Sequence, residues 1–188
     1  MTTITEKNIL RKKLEKYEGK VSHMYRDSKG YITVGVGHLL KSVYEAQILR
    51  FEDSNNNPAT NSEIKLEFET IQKLPADLLA SAYKKHATLT LPDTEIKRLT
   101  EIHINSFEKE LEIIYPDFRL YPTQVRLALF DLIFNLGMTK LQSNWPIFNS
   151  AIKAKNWQKA ADNSKRKSPV SAARNKYVKD LLEQVAKP

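Results

Sequence analysis

Four of the five glycines in this chain of 188 residues fall in one stretch, Glu18-Gly19-Lys20-Val21-Ser22-His23-Met24-Tyr25-Arg26-Asp27-Ser28-Lys29-Gly30-Tyr31-Ile32-Thr33-Val34-Gly35-Val36-Gly37-His38. Strand-forming residues lie on both sides of a turn sequence at 27–30, which is the pattern of a β-hairpin. The pattern predicts a short strand over 22–26 and a return strand over 31–36. Gly30 suits the tight position of the turn, because glycine adopts positive φ without steric cost.

Three side chains of this stretch could carry out acid–base chemistry. Helical spacing of apolar residues predicts a helix over 5–17, and Gly19 supplies the stop signal after it. Glu18 therefore lies at a helix C-terminus, where the negative end of the helix dipole disfavours ionisation. Asp27 lies in a solvated turn, where it should stay ionised, and Thr33 follows on the return strand.

Glycoside hydrolysis needs such a pair of carboxyl groups in different protonation states. Glu18, in a partly dry environment, would donate a proton to the leaving oxygen, and Asp27 with Thr33 would hold the attacking water. On spacing alone, structural roles are the better interpretation, because a Glu, an Asp and a Thr this close together are common. Glu18 would then be a solvated helix end, Asp27 a turn former and Thr33 a strand residue.

The complete string resembles the phage-type lysozymes, glycoside hydrolase family 24. The family pattern is a helix ending in Glu-Gly, followed by Asp-x-x-Gly-Tyr-x-Thr-x-Gly-x-Gly-His, and here it is matched by Glu18-Gly19 and by residues 27–38. Residues 124–137 look like the central helix of the family's C-terminal lobe. Residues 156–161 look like its later Trp-x-x-Ala-Ala helix, so the resemblance extends to both ends of the chain.

The resemblance implies an α+β, mostly helical, two-lobed lysozyme-like fold, in which a small β-hairpin or sheet lobe and a helical C-terminal lobe are joined by a long helix. A single catalytic domain over 1–188 is expected, with the helix at 5–17 packing on the C-terminal lobe. Residues 18–90 would form the N-terminal lobe, with the hairpin and an extended helical insertion. Residues 91–188 would form the linker helix and the helical C-terminal lobe. The residue patterns predict helices at 43–51, 62–74, 76–83, 123–136 and 157–162. Trp157 is expected to lie in the core.

The same resemblance implies a peptidoglycan muramidase that hydrolyses the β-1,4 bond between N-acetylmuramic acid and N-acetylglucosamine with inversion. It implies that Glu18 is the general acid and that Asp27 and Thr33 position the water. No cofactor is expected, and the four histidines show no metal-ligand spacing. The alternative is a catalytically silent lysozyme-fold module that binds peptidoglycan or a partner.

Further contacts with the substrate are expected from four residues, Tyr25, Tyr31, Gly35 and Asn135. The two tyrosines could equally serve cross-strand packing, Gly35 could mark a bulge, and Asn135 could cap a helix end. His38 is expected to fix the end of the sheet rather than to act in catalysis. Arg174 is the candidate for the arginine that pairs with the catalytic glutamate in the family.

Charge and composition set the expected partners. The formal net charge of +8 predicts attraction to a polyanion, which could be nucleic acid, an acidic membrane surface or an anionic cell wall, or it could reflect only a solvated basic surface. Charge alone does not choose among these. Peptidoglycan is anionic and fits the charge, and no motif supports nucleic-acid binding. The chain has no cysteine, which excludes disulfides and thiolate metal sites.

Charged residues near the N-terminus, and the lack of a long apolar run, predict synthesis in the cytoplasm without a signal peptide and without stable membrane insertion. A monomer is expected. It would act in the periplasm or cell wall. Holin-dependent release of a phage endolysin and secretion-system delivery of an antibacterial effector, the latter with a possible immunity protein, both fit.

Overall fold

The computed structural model describes residues 2–187, and over that range it is an α+β structure, as the sequence predicts. Its one sheet has three antiparallel strands in the order β1-β2-β3: β1 (Val21–Arg26), β2 (Ile32–Gly35) and β3 (His38–Leu40). Ten α-helices are described: α1 (Ile4–Glu18), α2 (Val43–Gln47), α3 (Asn61–Lys73), α4 (Ala80–Tyr83), α5 (Asp93–Ile114), α6 (Thr123–Leu136), α7 (Met138–Asn144), α8 (Pro146–Lys153), α9 (Trp157–Asp162) and α10 (Ala172–Ala186). Short 3₁₀ helices follow α4 and α5 at Lys84–His86 and Phe118–Leu120.

The described chain divides into two compact units. One comprises residues 13–102, with the sheet, and the other comprises residues 2–12 and 103–187, which are helical. The boundaries fall inside α1 and α5, so each of these helices contributes residues to both units. The expectation of one catalytic domain over the whole chain stays a prediction.

The hairpin is present, with a bulge in β1 opposite the Gly35 end of β2 and with a third strand that the sequence pattern did not predict. Val21 pairs with Gly35 and Tyr25 with Thr33, so β1 advances by four residues while β2 advances by two. Such an irregularity bends a strand and re-aims its side chains. The third strand, β3, pairs with β2 from His38 to Leu40, and the buried face of the sheet includes Val34, which is 0% exposed.

The segment between the sheet and α5 is helical, but less so than predicted. The helix predicted at 62–74 is α3, which begins at a capping box formed by Thr60 and Glu63. The helix predicted at 76–83 is reduced to α4, and that predicted at 43–51 is reduced to α2.

The helical unit is built around α6, whose bounds agree with the predicted 123–136. Every residue from 127 to 133 in this helix is buried. Edge-to-face aromatic contacts surround it, with ring centroids 5.6 Å apart for Phe118 and Phe130 and 5.5 Å apart for Tyr121 and Trp157. The predicted assignment of Trp157 to the core agrees with this contact.

A buried ion pair joins the first turns of α1 to α6 within this unit. Glu6 is 3% exposed, and its Oε1 accepts hydrogen bonds from both Nε, at 3.1 Å, and Nη2 of Arg126. Its Oε2 accepts from the backbone and hydroxyl of Thr3 at 2.8 and 3.0 Å. Burial opposes ionisation of Glu6, but the bonds from Arg126 and Thr3 outweigh it, so the pKa of Glu6 lies below its usual value.

This depressed pKa makes the contribution of Glu6 to stability dependent on pH. We expect the wild type to be more stable than Glu6→Gln above the ordinary glutamate pKa of about 4.3, because the ionised form is favoured in the folded state. The difference should shrink as the pH falls through the lowered pKa of Glu6. Urea unfolding of both proteins between about pH 7 and pH 3 measures it, with the exposed Glu101→Gln as control. A difference that does not change with pH would contradict the expected linkage.

Candidate active site

The three proposed catalytic residues all lie in the unit of residues 13–102. Glu18 is the last residue of α1 and is followed by Gly19 at φ 82°. Asp27 comes directly after β1, and Thr33 lies in β2, the central strand of the sheet. Glu18 is exposed, so the partly dry environment expected for it is not what the structure has.

Asp27 organises the turn that joins β1 to β2. Its Oδ1 accepts hydrogen bonds from the backbone N–H groups of Lys29 and Tyr31, both at 2.9 Å, and its own N–H donates to the Tyr31 carbonyl at 2.9 Å. Gly30 has φ 83°, a left-handed backbone conformation that favours glycine at this position. Within the described chain, Oδ2 of Asp27 has no hydrogen-bond donor, and this oxygen remains available for chemistry.

The chain contains a second turn of the same design, which gives a comparison for Asp27. Oδ1 of Asp53 accepts from the N–H groups of Asn55 and Asn57 at 2.8 and 2.9 Å, and Asn56, with φ 61°, takes the position of Gly30. In that turn, however, Oδ2 also has a partner, because it accepts from Nδ2 of Asn57 at 3.2 Å. The hydrogen bonds to Oδ1 of Asp27 are therefore explained by the structure of the turn. Only Oδ2, which among the described residues has a donor in Asp53 and none in Asp27, distinguishes the two aspartates.

Thr33 and Asp27 are connected through the backbone of Tyr31. The N–H of Tyr31 donates to Asp27 Oδ1, and the Tyr31 carbonyl accepts from Oγ1 of Thr33 at 3.4 Å. That second bond is long, so the hydroxyl can exchange it for a stronger partner such as water. Thr33 is only 4% exposed, which limits that partner to a small molecule.

The charges of Glu18 and Asp27 both act on the side chain of Tyr25. Its Cα pairs with that of Thr33, and its ring is half-buried. Burial raises the pKa of the Tyr25 phenol, and the negative charges of Asp27 and Glu18 raise it further. The structure thus brings both proposed catalytic carboxylates within electrostatic range of one side chain.

The remaining predicted residues of this unit have different exposures. Tyr31 is 54% exposed and could contact a ligand, whereas Gly35 is buried and has φ 68°. A Cβ on Gly35 would lie 3.6 Å from Ile96, which is an ordinary contact distance. The positive φ, and not a lack of space, therefore explains why this residue is glycine. His38 is the first residue of β3 and pairs with Val34. Roles in substrate binding for Tyr25, Tyr31 and Gly35 stay predictions.

Asn135 lies in the helical unit, where it is exposed near the end of α6. It lines a groove of about 570 Å³ whose other lining residues include Lys140, Lys165, Lys167 and Trp145. No aspartate or glutamate is among the residues that line this groove. The groove therefore has the electrostatic character of an anion-binding surface.

Arg174 belongs to a buried charged cluster that the sequence analysis did not predict. Asp131 accepts from Nη1 of Arg166 at 2.7 Å and from Nε of Arg174 at 3.1 Å, and these three residues are 3%, 3% and 5% exposed. The signal for it was present in the sequence, because Asp131 interrupts the apolar run of α6, and a buried acid needs a cationic partner. A pairing of Arg174 with Glu18 stays a prediction.

Neither a metal site nor a membrane span is found in the described part of the chain. No group of three or more metal-ligating side chains comes together in residues 2–187. No helix within those residues is both long and apolar enough to cross a bilayer.

Comparison with known proteins finds one matching family and a similar protein. The family model described as phage lysozyme matches residues 15–177 of this chain. A protein of Dictyostelium discoideum named "Probable T4-type lysozyme 1" is 25% identical over 159 residues, which cover 79% of this chain and 76% of the relative. The family match, over residues 15–177, includes the hairpin and the helices from α2 to α9.

The buried cluster predicts a large effect on stability. Asp131→Asn removes the carboxylate shared by two buried guanidinium groups, and we expect it to lower the free energy of unfolding by about 3–5 kcal/mol. The control is Asp180→Asn, which breaks a surface pair with Lys176 and should cost less than about 1 kcal/mol. Equal denaturant midpoints for the two variants would contradict the structural importance of the cluster.

Proposed function

The chain belongs to the phage lysozyme family, and from that premise we propose that it is a peptidoglycan muramidase whose catalytic residues are Glu18, Asp27 and Thr33. Membership of a lysozyme family makes it a glycoside hydrolase at the general level. The residues, the bond cleaved and the stereochemistry are our proposal. The observation that carries it is the hairpin, in which Asp27 and Thr33 share the backbone of Tyr31 and Asp27 keeps one oxygen without a donor.

In the proposed reaction, Glu18 donates its proton to the glycosidic oxygen as the bond to the anomeric carbon breaks. Oδ2 of Asp27 accepts a proton from water, and the oxygen of that water forms the new bond to the anomeric carbon. Thr33 orients the water through its hydroxyl group. Attack from the opposite face gives inversion, which requires a carboxyl separation of about 6.5–9.5 Å.

The exposure of Glu18 has a consequence for this mechanism. A general acid transfers its proton to the leaving oxygen most effectively where water is excluded, and the exposed Glu18 is open to water. We propose that bound glycan covers Glu18 and excludes water from it. The fully assembled site would then exist only with substrate present.

The proposed substrate is anionic, which agrees with the charge of the protein. Peptidoglycan carries carboxylates, and the net charge of +8 and the lysine-lined groove beside Asn135 both favour such a polymer. The biological setting is either a phage endolysin or an antibacterial effector delivered to the periplasm, because both would use a basic muramidase.

The catalytic assignment is tested by paired variants. We expect Glu18→Gln and Asp27→Asn each to lower the rate of clearing of permeabilised Gram-negative cells by about 10²–10⁴-fold. Asp53→Asn is the matched control for Asp27, because it makes the same change in a turn of the same design, and it should clear like the wild type. If Asp27→Asn and Asp53→Asn lose activity equally, the effect of Asp27 is on folding and the assignment fails.

The products identify the reaction class. Mass spectrometry of the soluble muropeptides should find ordinary reducing ends, because water is the nucleophile in hydrolysis. Anhydro ends would indicate a lytic transglycosylase instead. Binding to insoluble peptidoglycan without any released fragment would favour the alternative of a silent binding module.

The lysines of the groove beside Asn135 are expected to contribute to peptidoglycan binding through their charge. Lys165→Glu/Lys167→Glu should weaken binding to peptidoglycan at low ionic strength by about tenfold or more, because it replaces two positive charges by negative ones. The exposed pair Lys153→Glu/Lys159→Glu makes the same change in net charge away from the residues that line the groove. Identical losses in both double variants would mean that net charge, and not the groove, determines binding.

A further inference from the structure

One exposed segment in the unit of residues 13–102 has no role in the proposed reaction. It begins with Leu78 and Leu79, which are 47% and 81% exposed, and ends with the exposed 3₁₀ helix Lys84–His86. Between them, α4 turns Tyr83 inward, where it is 0% exposed. We name Leu78, Leu79, Lys84, Lys85 and His86 the apolar–basic patch.

Three side chains of the same unit bond to backbone carbonyl groups in and just before this segment. The hydroxyl of the buried Tyr83 donates to the carbonyl of Pro75 at 2.6 Å, and Nε2 of His23 lies 2.9 Å from the carbonyl of Ala80. Nη1 of Arg26, from β1, donates to the carbonyl of Leu74. Two carbonyls before α4 and one on its first residue are thus hydrogen-bonded to side chains, so the leucines between them are presented to solvent by a fixed backbone.

The chemistry of the patch favours a lipid surface over other partners. Its apolar residues are aliphatic, and the one large aromatic side chain of the segment, Tyr83, is buried, so the segment exposes no tyrosine, tryptophan or phenylalanine on which a sugar could stack. The tryptophan, tyrosine and arginine anchors typical of protein interfaces are also missing from the exposed part of 78–86. Leucines beside lysines are the combination that binds the boundary of an anionic bilayer.

Charge supports the same partner. The exposed Asp77 directly precedes Leu78, but no acidic residue follows it up to His86, and Lys84 and Lys85 leave 77–86 with an excess of positive charge a few residues from the leucines. Lysines near an anionic membrane are attracted to it over about a Debye length, and leucines add favourable transfer into the acyl boundary. The two contributions act together only where apolar and basic groups are close, as they are here.

We propose that the apolar–basic patch binds reversibly to the surface of anionic phospholipid membranes. This inference does not depend on muramidase activity, because no residue of the patch belongs to the proposed catalytic group. Binding would be peripheral, with the leucines inserted at the level of the headgroups and the lysines beside the phosphates.

Flotation of the full chain with lipid vesicles tests the proposal. The wild type should float with vesicles of phosphatidylglycerol and phosphatidylethanolamine, and much less with vesicles of phosphatidylcholine alone. Binding to the anionic vesicles should fall as salt is raised. We expect Leu78→Ser/Leu79→Ser and Lys84→Gln/Lys85→Gln each to reduce the bound fraction by about tenfold or more.

Matched controls separate the patch from general properties of the surface. Ile113 and Leu120 are 65% and 77% exposed, so Ile113→Ser/Leu120→Ser changes as much exposed apolar surface elsewhere. Lys153→Gln/Lys159→Gln removes the same charge elsewhere, and circular dichroism checks the folding of every variant. Binding by the controls but not by the patch variants supports the proposal. Absent binding by the wild type, or equal losses in patch and control variants, would overturn it.

The outcome is independent of the proposed function. Vesicles contain no glycan, so a catalytically inactive protein could still bind them, and an active muramidase could fail to bind.

Discussion

The carboxylate of Asp27 is the constraint on which the rest of the proposed site depends. Its Oδ1 closes the turn between β1 and β2, and the position of Thr33 follows, because both residues bond to the backbone of Tyr31. The turn is also tied to the segment before α4, since Arg26 donates to the carbonyls of both Gly30, at 3.0 Å, and Leu74. A single acidic side chain can therefore be structural through one oxygen and chemical through the other.

Local sequence signals predicted the elements that depend on local physics. The bounds of α6 and α9 agree with the predicted 123–136 and 157–162, because periodic apolar residues and a following glycine or a capping asparagine define them. The hairpin turn was predicted by its residues, and the family pattern predicted the three catalytic candidates. The structure adds two links among these candidates that residue spacing does not predict. The backbone of Tyr31 bonds to both Asp27 and Thr33, and the charges of Glu18 and Asp27 both act on Tyr25.

Features that depend on distant residues were missed or overextended. Strand β3 is three residues long and exists because β2 offers it a partner, and the bulge in β1 follows from pairing rather than composition. The segment predicted as a helix at 76–83 has Asp77 at φ 62°, held in a turn whose carbonyls bond to His23, Arg26 and Tyr83. Tertiary contacts override helix propensity there, so the leucines before α4 face solvent.

Net charge alone does not identify a partner, because the cations of the described chain are in different physical situations, as three groups of them illustrate. Arg126, Arg166 and Arg174 are bonded to Glu6 or Asp131 inside the helical unit, where their charge serves folding. The lysines of the groove beside Asn135 face no acid among its lining residues, so their field extends towards an anionic ligand. Lys84 and Lys85 are placed beside exposed leucines, and that neighbourhood changes the kind of anion they suit. A dissolved polyanion satisfies charge but leaves the leucines in water, whereas a lipid surface satisfies both. The same formal charge therefore has a different meaning in each place, and the neighbouring residues determine which partner it favours.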